Sequence, residues 1–385
     1  MGNHSGCYRY VAIGPLPPPI GGDTISFSRL VNSRVLKEAQ VELEILDTSR
    51  KEKESKFGRK LDGKDLGRAV TLFFQAWGKR KNVDGMLIWA NTRFSYTLGL
   101  LLILLYKWAG KQVILKLFGA AFESEYRHLP RWYQGIIKRI FNKADTILPQ
   151  TKGMCLFFEQ EFEMTAEKVV HFPNFMPAHP VDLTHKTYTE QVKAVFVGQI
   201  RKGKGVFDIL EALRRDPEMT CTFYGTVFDR DGEAFFREVE HLPNAQYGGV
   251  LQAQQVQEVM SSYEVLILPS FHPGEGYPAV IMEAFFSSIP VIASRWRMIP
   301  ELVHHQENGF LVEINTPEQI VESIGMIRKD RVQYERMRAN SRQTAFQYTE
   351  ERVIGDILLP RLQPFISKAN QPAWSSNLGT KRIDH

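Results

Sequence analysis

Cysteine is scarce in this chain, which has only Cys7, Cys155 and Cys221. An odd number of widely spaced cysteines does not form a disulfide framework, and no histidine pattern accompanies them to hold a metal ion. We therefore expect free thiols in a reducing compartment. The opening residues, MGNHSGCYRYVAIG, lack an apolar core of signal-peptide length, and Gly6 stands where N-myristoylation needs Ser or Thr. Nothing in the sequence predicts export.

The chain also lacks a hydrophobic run long enough to span a membrane. Its longest, TLGLLLILLY over 97–106, is about half the required length, and a buried helix is the better prediction. The net charge of +5 suits an anionic substrate or an anionic membrane surface, and it does not require nucleic acid. A length of 385 residues with 43% apolar residues predicts a globular protein of two domains.

Short apolar runs alternate with helical patterns along most of the chain, which predicts doubly wound α/β sheets. The same patterns predict helices over 23–40 and 94–108 and a strand at VVHFP, residues 169–173. Such sheets bind ligands at the carboxyl ends of their strands, so two of them predict a shared central cleft. The predicted boundaries are a Rossmann-like domain over 1–175, a linker over 176–192, a second Rossmann-like domain over 193–350, a helix over 351–368 that returns to the first domain, and a polar tail over 369–385.

The stretch VFVGQIRKGKGVFDIL, residues 195–210, lacks the Ser or Thr of a P-loop, because Gly205 follows Lys204. A glycine-rich turn that opens a helix can still bind an anion through backbone N–H groups. Arg201 and Lys204 add positive charge beside it. A diphosphate bound without magnesium fits this loop, and a solvated basic turn is an equally good interpretation of the loop alone.

A second informative stretch is LPSFHPGEGYPAVIMEAFFSSIPVIAS, residues 268–294. Glu283 is the only charge in an apolar helix, and Glu275 lies in the glycine-rich turn before it. A buried carboxylate needs a partner, and carboxylates accept hydrogen bonds from the hydroxyls of sugars. The alternative for either residue alone is an exposed position without a ligand.

Taken in order, these motifs resemble those of the group 1 glycosyltransferases, which have the GT-B fold and transfer a sugar with retention from a nucleoside-diphosphate donor. The resemblance covers Tyr10 to Ile366 and is carried by PLPPPIGGDT, VGQIRKGKG, GGVLQ and the segment from LPS to NGFLV. It implies that the first domain binds the acceptor and the second binds the nucleotide sugar. It also implies a cytoplasmic enzyme of bacterial surface polysaccharide or lipopolysaccharide synthesis, at or near the inner face of the membrane.

The resemblance further implies roles for individual residues. Lys204, with Arg201 as an alternative, neutralises the diphosphate, and Glu275 contacts the transferred sugar; Lys204 and Glu275 are the predicted catalytic residues. Glu283 holds the ribose, and Glu301 has a supporting position. Gly21 and Gly22 form a flexible amino-terminal loop that closes over the donor phosphates. The other predicted donor-binding residues are Gln199, Val250, Leu251, Gly276, Tyr277 and Pro278. No metal site is predicted, and the Asp229 and Asp231 pair is interpreted as a helix cap.

The sequence departs from the pattern of the family in three places. Gln199 replaces an arginine, Phe118 replaces a histidine near the reacting sugar, and Ser287 and Ser288 fill a turn that usually ends in glycine. The first two departures, Gln199 and Phe118, leave open a catalytically weak relative that binds a nucleotide and acts as a partner protein. A sugar-nucleotide epimerase of the same fold is the other alternative.

The segment RHLPRWYQGIIKRIFNKAD, residues 127–145, predicts a basic amphipathic helix in the acceptor domain. Trp132, Tyr133 and Ile136, with Ile137, Ile140 and Phe141, form its apolar stripe. Packing on the sheet is the favoured role of this stripe, and contact with anionic lipid is the alternative. A glycan or a lipid-linked molecule is therefore the expected acceptor, with peripheral membrane contact as a further expectation.

Overall fold

The computed structural model describes residues 7–18, 21–49, 63–118, 122–177 and 191–362. These residues form two α/β units, each built on a parallel sheet that is covered by helices on both faces. Among the described residues, no helix has both the length and the apolar character that crossing a bilayer requires.

The first sheet has five parallel strands in the order β2-β1-β3-β4-β5. The four strands other than the edge strand β2 are almost entirely buried, as expected where helices cover both faces, whereas β2 is partly exposed. The elements of this unit are β1 (Tyr8–Gly14), α1 (Gly22–Val31), α2 (Arg34–Glu38), β2 (Val41–Asp47), α3 (Gly63–Lys79), β3 (Gly85–Ala90), α4 (Thr92–Tyr96), α5 (Leu98–Trp108), β4 (Gln112–Leu117), α6 (Phe122–Arg127), α7 (Arg131–Phe141), β5 (Thr146–Pro149) and α8 (Lys152–Glu161).

The second sheet has six parallel strands in the order β11-β10-β9-β6-β7-β8. The elements of this unit are β6 (Val192–Val197), α9 (Val206–Arg215), β7 (Met219–Tyr224), α10 (Asp229–His241), β8 (Ala245–Gly249), α11 (Val256–Met260), β9 (Val265–Leu268), α12 (Ala279–Phe286), β10 (Val291–Ser294), β11 (Gly309–Val312), α13 (Pro317–Lys329) and α14 (Arg331–Ala345).

The chain then returns to the first unit. A π-helix over Glu351–Leu358 leads into α15 (Leu359–Leu362), and both pack beside α1 and β1. The hydroxyl of Tyr10 donates to the carbonyl of Leu362 at 2.5 Å, which fixes the end of α15 to the first sheet. The predicted linker falls mostly on residues outside the described ranges, and the predicted tail lies wholly outside them.

Several predicted elements differ from the structure. One helix was expected over 23–40, but Ser33 caps a separate α2 through a hydrogen bond from the Leu36 N–H at 3.2 Å. The helix expected over 94–108 is likewise divided, at Thr97. The strand expected at VVHFP is wrong, because only one bridge, between Ile147 and Val169, forms there.

Candidate active site

Two loops meet at the carboxyl edge of the second sheet. The turn after β6 contains a short 3-10 helix over Lys202–Lys204, and the loop after β9 runs from 269 to 278. The N–H of Phe271 donates to the Gly203 carbonyl at 2.9 Å, so the two loops are hydrogen-bonded to each other. Gly205 has φ of 73°, and a Cβ on it would lie 2.3 Å from the Pro269 carbonyl oxygen. Only glycine fits this junction.

The junction brings the two predicted catalytic residues into contact. Nζ of Lys204 donates to Oε2 of Glu275 at 2.6 Å, and the Ser270 hydroxyl donates to the same carboxylate oxygen. The exposed fraction is 20% for the Lys204 side chain and 7% for that of Glu275. The ammonium therefore keeps one side open to the cleft, whereas the carboxylate is almost fully enclosed.

The predicted alternative cation, Arg201, lies beside Gln199, the residue that replaces an arginine of the family. Nη1 of Arg201 donates to Oε1 of the exposed Gln199 at 3.4 Å, and its guanidinium lies over the Phe228 ring at 4.8 Å. A positive charge is thus present at the Gln199 position, supplied from two residues further along the chain.

Two further basic residues at this site, His272 and Arg297, were not predicted from the sequence. Nδ1 of His272 accepts from the Gly274 N–H at 3.0 Å, so the proton of the neutral ring is on Nε2. Burial lowers the pKa of His272, and the positive charges of Arg201, Lys204 and Arg297 lower it further. His272 lies inside the loop quoted above, but nothing in its residue type distinguishes it from the neighbouring turn residues.

Glu283 lies on α12 at the interface with the first unit. Its Oε1 is 3.9 Å from Nη2 of Arg29 on α1, and Nη1 of Arg29 donates to the Phe175 carbonyl at 3.0 Å. Burial raises the pKa of Glu283, and the nearby charge of Arg29 opposes that shift. Sequence reasoning missed Arg29, because only the folded chain brings α1 and α12 together.

The remaining predicted donor residues surround these loops less tightly. Val250 is 56% exposed after β8, and Leu251 packs partly against the core. Gly276 is half-buried, and Pro278 is the residue before the first turn of α12. Tyr277 points away from solvent, with its hydroxyl 3.2 Å from that of Tyr348.

Gly21 and Gly22, which were expected to form a loop of the first unit, lie at the start of α1. Gly21 is the N-cap of α1, and Gly22 is already its first helical residue. The N–H of Gly21 is held by the hydroxyl of Thr24 at 2.9 Å. The prediction that Gly22 belongs to the loop is therefore wrong, because this cap starts the helix earlier than the sequence pattern indicates.

The expected aspartate cap of α10 is also wrong. Phe228 occupies the N-cap position, and Asp231 is in the first turn, where its Oδ2 accepts from the Lys202 N–H at 2.8 Å. Asp231 thus fixes the Lys202–Lys204 turn. No group of three or more metal-ligating side chains was found in the parts of the chain that the structure describes.

Glu301 connects the two units. Its carboxylate accepts from the N–H groups of Lys152 at 2.8 Å and Gly153 at 3.0 Å, at the start of α8. Glu301 and Lys152 also line a cavity of about 690 Å³, together with His171, His304, Tyr348 and Arg352. This cavity lies beside the chain segments that join the units, and none of the predicted donor-binding residues lines it.

Phe118 is buried at the end of β4 and is not open to the cleft. Its ring lies 5.7 Å from that of Trp89 and 5.2 Å from Nζ of Lys116. Lys116 itself is fully buried and donates to the Phe172 carbonyl, and burial holds its pKa well below the usual value. The side chain at position 118 is therefore part of an aromatic cluster.

Comparison with known proteins supports the same family. Residues 184–344 match the family model of the glycosyl transferases group 1. These residues belong to the group 1 glycosyltransferases. An uncharacterized glycosyltransferase of Methanocaldococcus jannaschii is 24% identical over 268 residues, which are 66% of this chain and 68% of that protein. Three curated relatives are matched over 68%, 26% and 49% of their own lengths.

Solved structures show the fold of nearly the whole chain. HepE of Anabaena, solved with UDP, has a TM-score of 0.68 at 14% identity, with 91% of this chain and 98% of HepE covered. The lipopolysaccharide outer core galactosyltransferase WaaB has a TM-score of 0.64 at 17% identity, with coverage of 92% and 99%. The fold is therefore GT-B, with two Rossmann-like units.

Proposed function

We propose that this group 1 chain transfers a sugar from a nucleoside-diphosphate sugar whose diphosphate binds at Lys204. The observation that carries the proposal is the hydrogen bond from Lys204 Nζ to Glu275 Oε2 at 2.6 Å. The two loops that hold these residues are themselves hydrogen-bonded to each other. A cation that is one-fifth exposed and held in place by an enclosed carboxylate is suited to receive an anion. HepE has been solved with UDP and with UDP-glucose, which supports the same class of donor.

The positive charges around this loop fit the chemistry of the transfer. As the bond to the anomeric carbon breaks, negative charge grows on the departing diphosphate, and fixed cations and N–H donors stabilise it. Lys204, Arg201, Arg297 and the N–H of His272 Nε2 are the groups that we assign to this task. The N-terminus of α9, which begins at Val206, adds backbone N–H donors. We propose that no metal ion is obligatory.

We assign the rest of the donor to the neighbouring loops. Glu275 takes hydroxyls of the transferred sugar, Glu283 takes those of the ribose, and backbone groups at Val250 and Leu251 contact the base. Gly276, Tyr277 and Pro278 shape the wall near the phosphates, and Gln199 and the Gly21–Gly22 segment complete the donor site. We propose retention by attack on the same face of the sugar, because Glu275 is held by Lys204 and Ser270 and so is poorly placed to act as a nucleophile.

The acceptor is assigned to the first unit. We propose a glycan or lipid-linked acceptor in bacterial surface polysaccharide or lipopolysaccharide synthesis, with the enzyme on the cytoplasmic side of the membrane. WaaB, described as a lipopolysaccharide outer core galactosyltransferase, supports this assignment through its common fold.

Incubation with radiolabelled nucleotide sugars and a bacterial membrane extract tests the proposal. We expect label to move to lipid or glycan in the parent protein and not in the Lys204→Ala variant. Release of an altered free sugar would identify an epimerase instead. Binding of a donor with no turnover on any acceptor fraction would identify a catalytically silent relative.

A further inference from the structure

Exposed large hydrophobic side chains are concentrated on one layer of helices in the first unit. Of the 17 such residues in the described ranges, nine lie on α3, α5 and α7. These helices follow β2, β3 and β4, and they cover the same face of the first sheet. Six of the nine define what we call the α3–α5 face: Val70, Phe74, Trp77, Leu101, Leu104 and Trp108.

The residues of the α3–α5 face form two stripes that lie side by side. Within each helix they recur at three- or four-residue intervals, which places them on one side. The rings of Trp77 and Trp108 stack with centroids 6.1 Å apart, and the Tyr106 hydroxyl donates to the Ala76 carbonyl at 3.0 Å. The C-terminal ends of the two helices therefore lie side by side, and their outer stripes meet in one surface.

Packing among the residues that the structure describes does not account for this surface. The opposite side of α5 already supplies Leu102, Ile103 and Tyr106 to the core. Leu101 remains 55% exposed on the outer side. A helix that is apolar all round is normally covered on every side, so the outer stripe lacks the cover that its composition requires.

The exposed part of α7 extends the same layer. Its apolar stripe is divided, because Ile137 and Phe141 are buried whereas Trp132 and Ile136 are exposed. Tyr133 and Ile140 pack partly against the core, so the expected packing on the sheet accounts for four of the six stripe residues and leaves Trp132 and Ile136 outside it. Because α7 packs against α5, the exposed pair lies on the same side of the molecule as the α3–α5 face.

Positive charge prevails on these three helices, in which Asp65 near the start of α3 is the one acidic residue. Segments 66–81, 98–111 and 131–143 contain ten Lys and Arg residues and no Asp or Glu. Lys79, Lys107 and Lys138 pair with carboxylates from other elements. The guanidinium of Arg80 lies over the Trp77 ring at 4.1 Å, at the edge of the apolar surface.

We propose that the α3–α5 face, extended by Trp132 and Ile136, docks on an anionic lipid membrane. Apolar side chains would enter the headgroup boundary, the tryptophans would lie at its level, and the basic residues would attract anionic headgroups. A second copy of the chain fits this face less well, because a symmetric interface would bring two sets of like charges together. The inference rests on the membrane-side acceptor in the proposed function and identifies the surface that reaches it.

Co-sedimentation with vesicles tests the docking surface. The probe is a mixture of phosphatidylglycerol and phosphatidylcholine, with pure phosphatidylcholine for comparison. We expect binding to the anionic vesicles that weakens as salt rises from about 0.1 to 0.5 M, because salt screens the basic residues. Binding to the neutral vesicles should be at least about tenfold weaker.

Two leucines with the same exposed fraction supply a matched pair of variants. Leu101 and Leu156 are both 55% exposed, and Leu156 lies on α8, outside the three helices. We expect Leu101→Glu to lower the ratio of bound to free protein by about tenfold or more, and Leu156→Glu to change it less than about twofold. Circular dichroism checks that both variants are folded.

Three outcomes would overturn the docking proposal: no preference for anionic vesicles, equal effects of the two variants, or a dimer in light scattering that Leu101→Glu abolishes. Stabilisation of each variant by UDP is measured in parallel. Vesicle binding without any UDP effect would count against the proposed transfer reaction and leave the docking surface standing.

Discussion

The contact between Lys204 and Glu275 predicts opposite effects on nucleotide binding. Loss of Lys204 should weaken it, and loss of the Glu275 charge should not. In the structure the carboxylate of Glu275 holds the ammonium of Lys204 at 2.6 Å. A diphosphate at this site would compete with Glu275 for the same ammonium. Removing the cation should therefore weaken UDP binding, whereas neutralising the carboxylate should leave it equal or tighter.

The expected magnitudes follow from the exposure of the two groups. Lys204→Met leaves an enclosed carboxylate that keeps, among the described residues, only the hydrogen bond from Ser270. Losing one partner of a buried ion pair costs about 3 kcal/mol of unfolding free energy. Glu275→Gln leaves an ammonium that can reach water, so we expect a loss of about 1 kcal/mol. The double variant leaves neither charge stranded, and its loss should be smaller than that of Lys204→Met.

Chemical denaturation measures these free energies, and titration calorimetry measures UDP binding. Lys204→Met should weaken UDP by about 10- to 100-fold, which corresponds to losing one charge-assisted hydrogen bond. Glu275→Gln should bind UDP at least as tightly as the parent and should still lose sugar transfer. Equal losses of UDP affinity in the two variants, with both folded, would refute the idea that Glu275 competes with the nucleotide for Lys204.

Three further predictions concern pH and backbone conformation. Burial and neighbouring cations lower the pKa of His272 in the free protein, and a bound diphosphate should raise it. Calorimetry should therefore show that UDP-glucose binds more tightly at pH 6 than at pH 8 in the parent, and equally at both pH values in His272→Gln. Equal affinities in the parent would contradict this prediction. Gly205→Ala should lower the free energy of unfolding by more than about 2 kcal/mol, because the new Cβ would lie 2.3 Å from the Pro269 carbonyl oxygen. The control Gly249→Ala, at a φ of 83° with open space around it, should lower it by about 1 kcal/mol. Equal losses in chemical denaturation would contradict the prediction, because they would show that the backbone around Gly205 relaxes. Burial lowers the pKa of His171 from 6.5 to about 4, so as the pH falls the unfolded chain takes up this proton before the folded chain does. The free energy of unfolding of the parent should therefore fall by up to about 3 kcal/mol between pH 6.5 and pH 4, and this loss should be absent in His171→Gln. Denaturation at a series of pH values measures both proteins, and the same pH dependence in the two would contradict the prediction.

The local chemistry of the site was largely accessible from the sequence. The glycine at position 205 and the cations around it predict an anion-binding helix start. A lone carboxylate in an apolar helix predicts that Glu283 has a partner. These are inferences from residue type and spacing, which the sequence displays directly.

What the sequence did not display is which residues meet across the fold. Arg29 is 254 positions before Glu283, and Glu301 caps a helix that begins at Lys152 in the other unit. The outer stripe of α3 was also missed, since only the packed structure shows which of its apolar residues stay exposed. Such pairings depend on strand order and packing, on which the local pattern carries no information.

A crystal structure of the protein with UDP tests the central claim most directly. The account predicts the diphosphate in hydrogen-bond contact with Lys204 Nζ, beside the N-terminus of α9, with Glu275 turned away from the ammonium or shared with the ligand. UDP bound instead in the cavity lined by Lys152 and His171, with the Lys204–Glu275 contact unchanged, would contradict it.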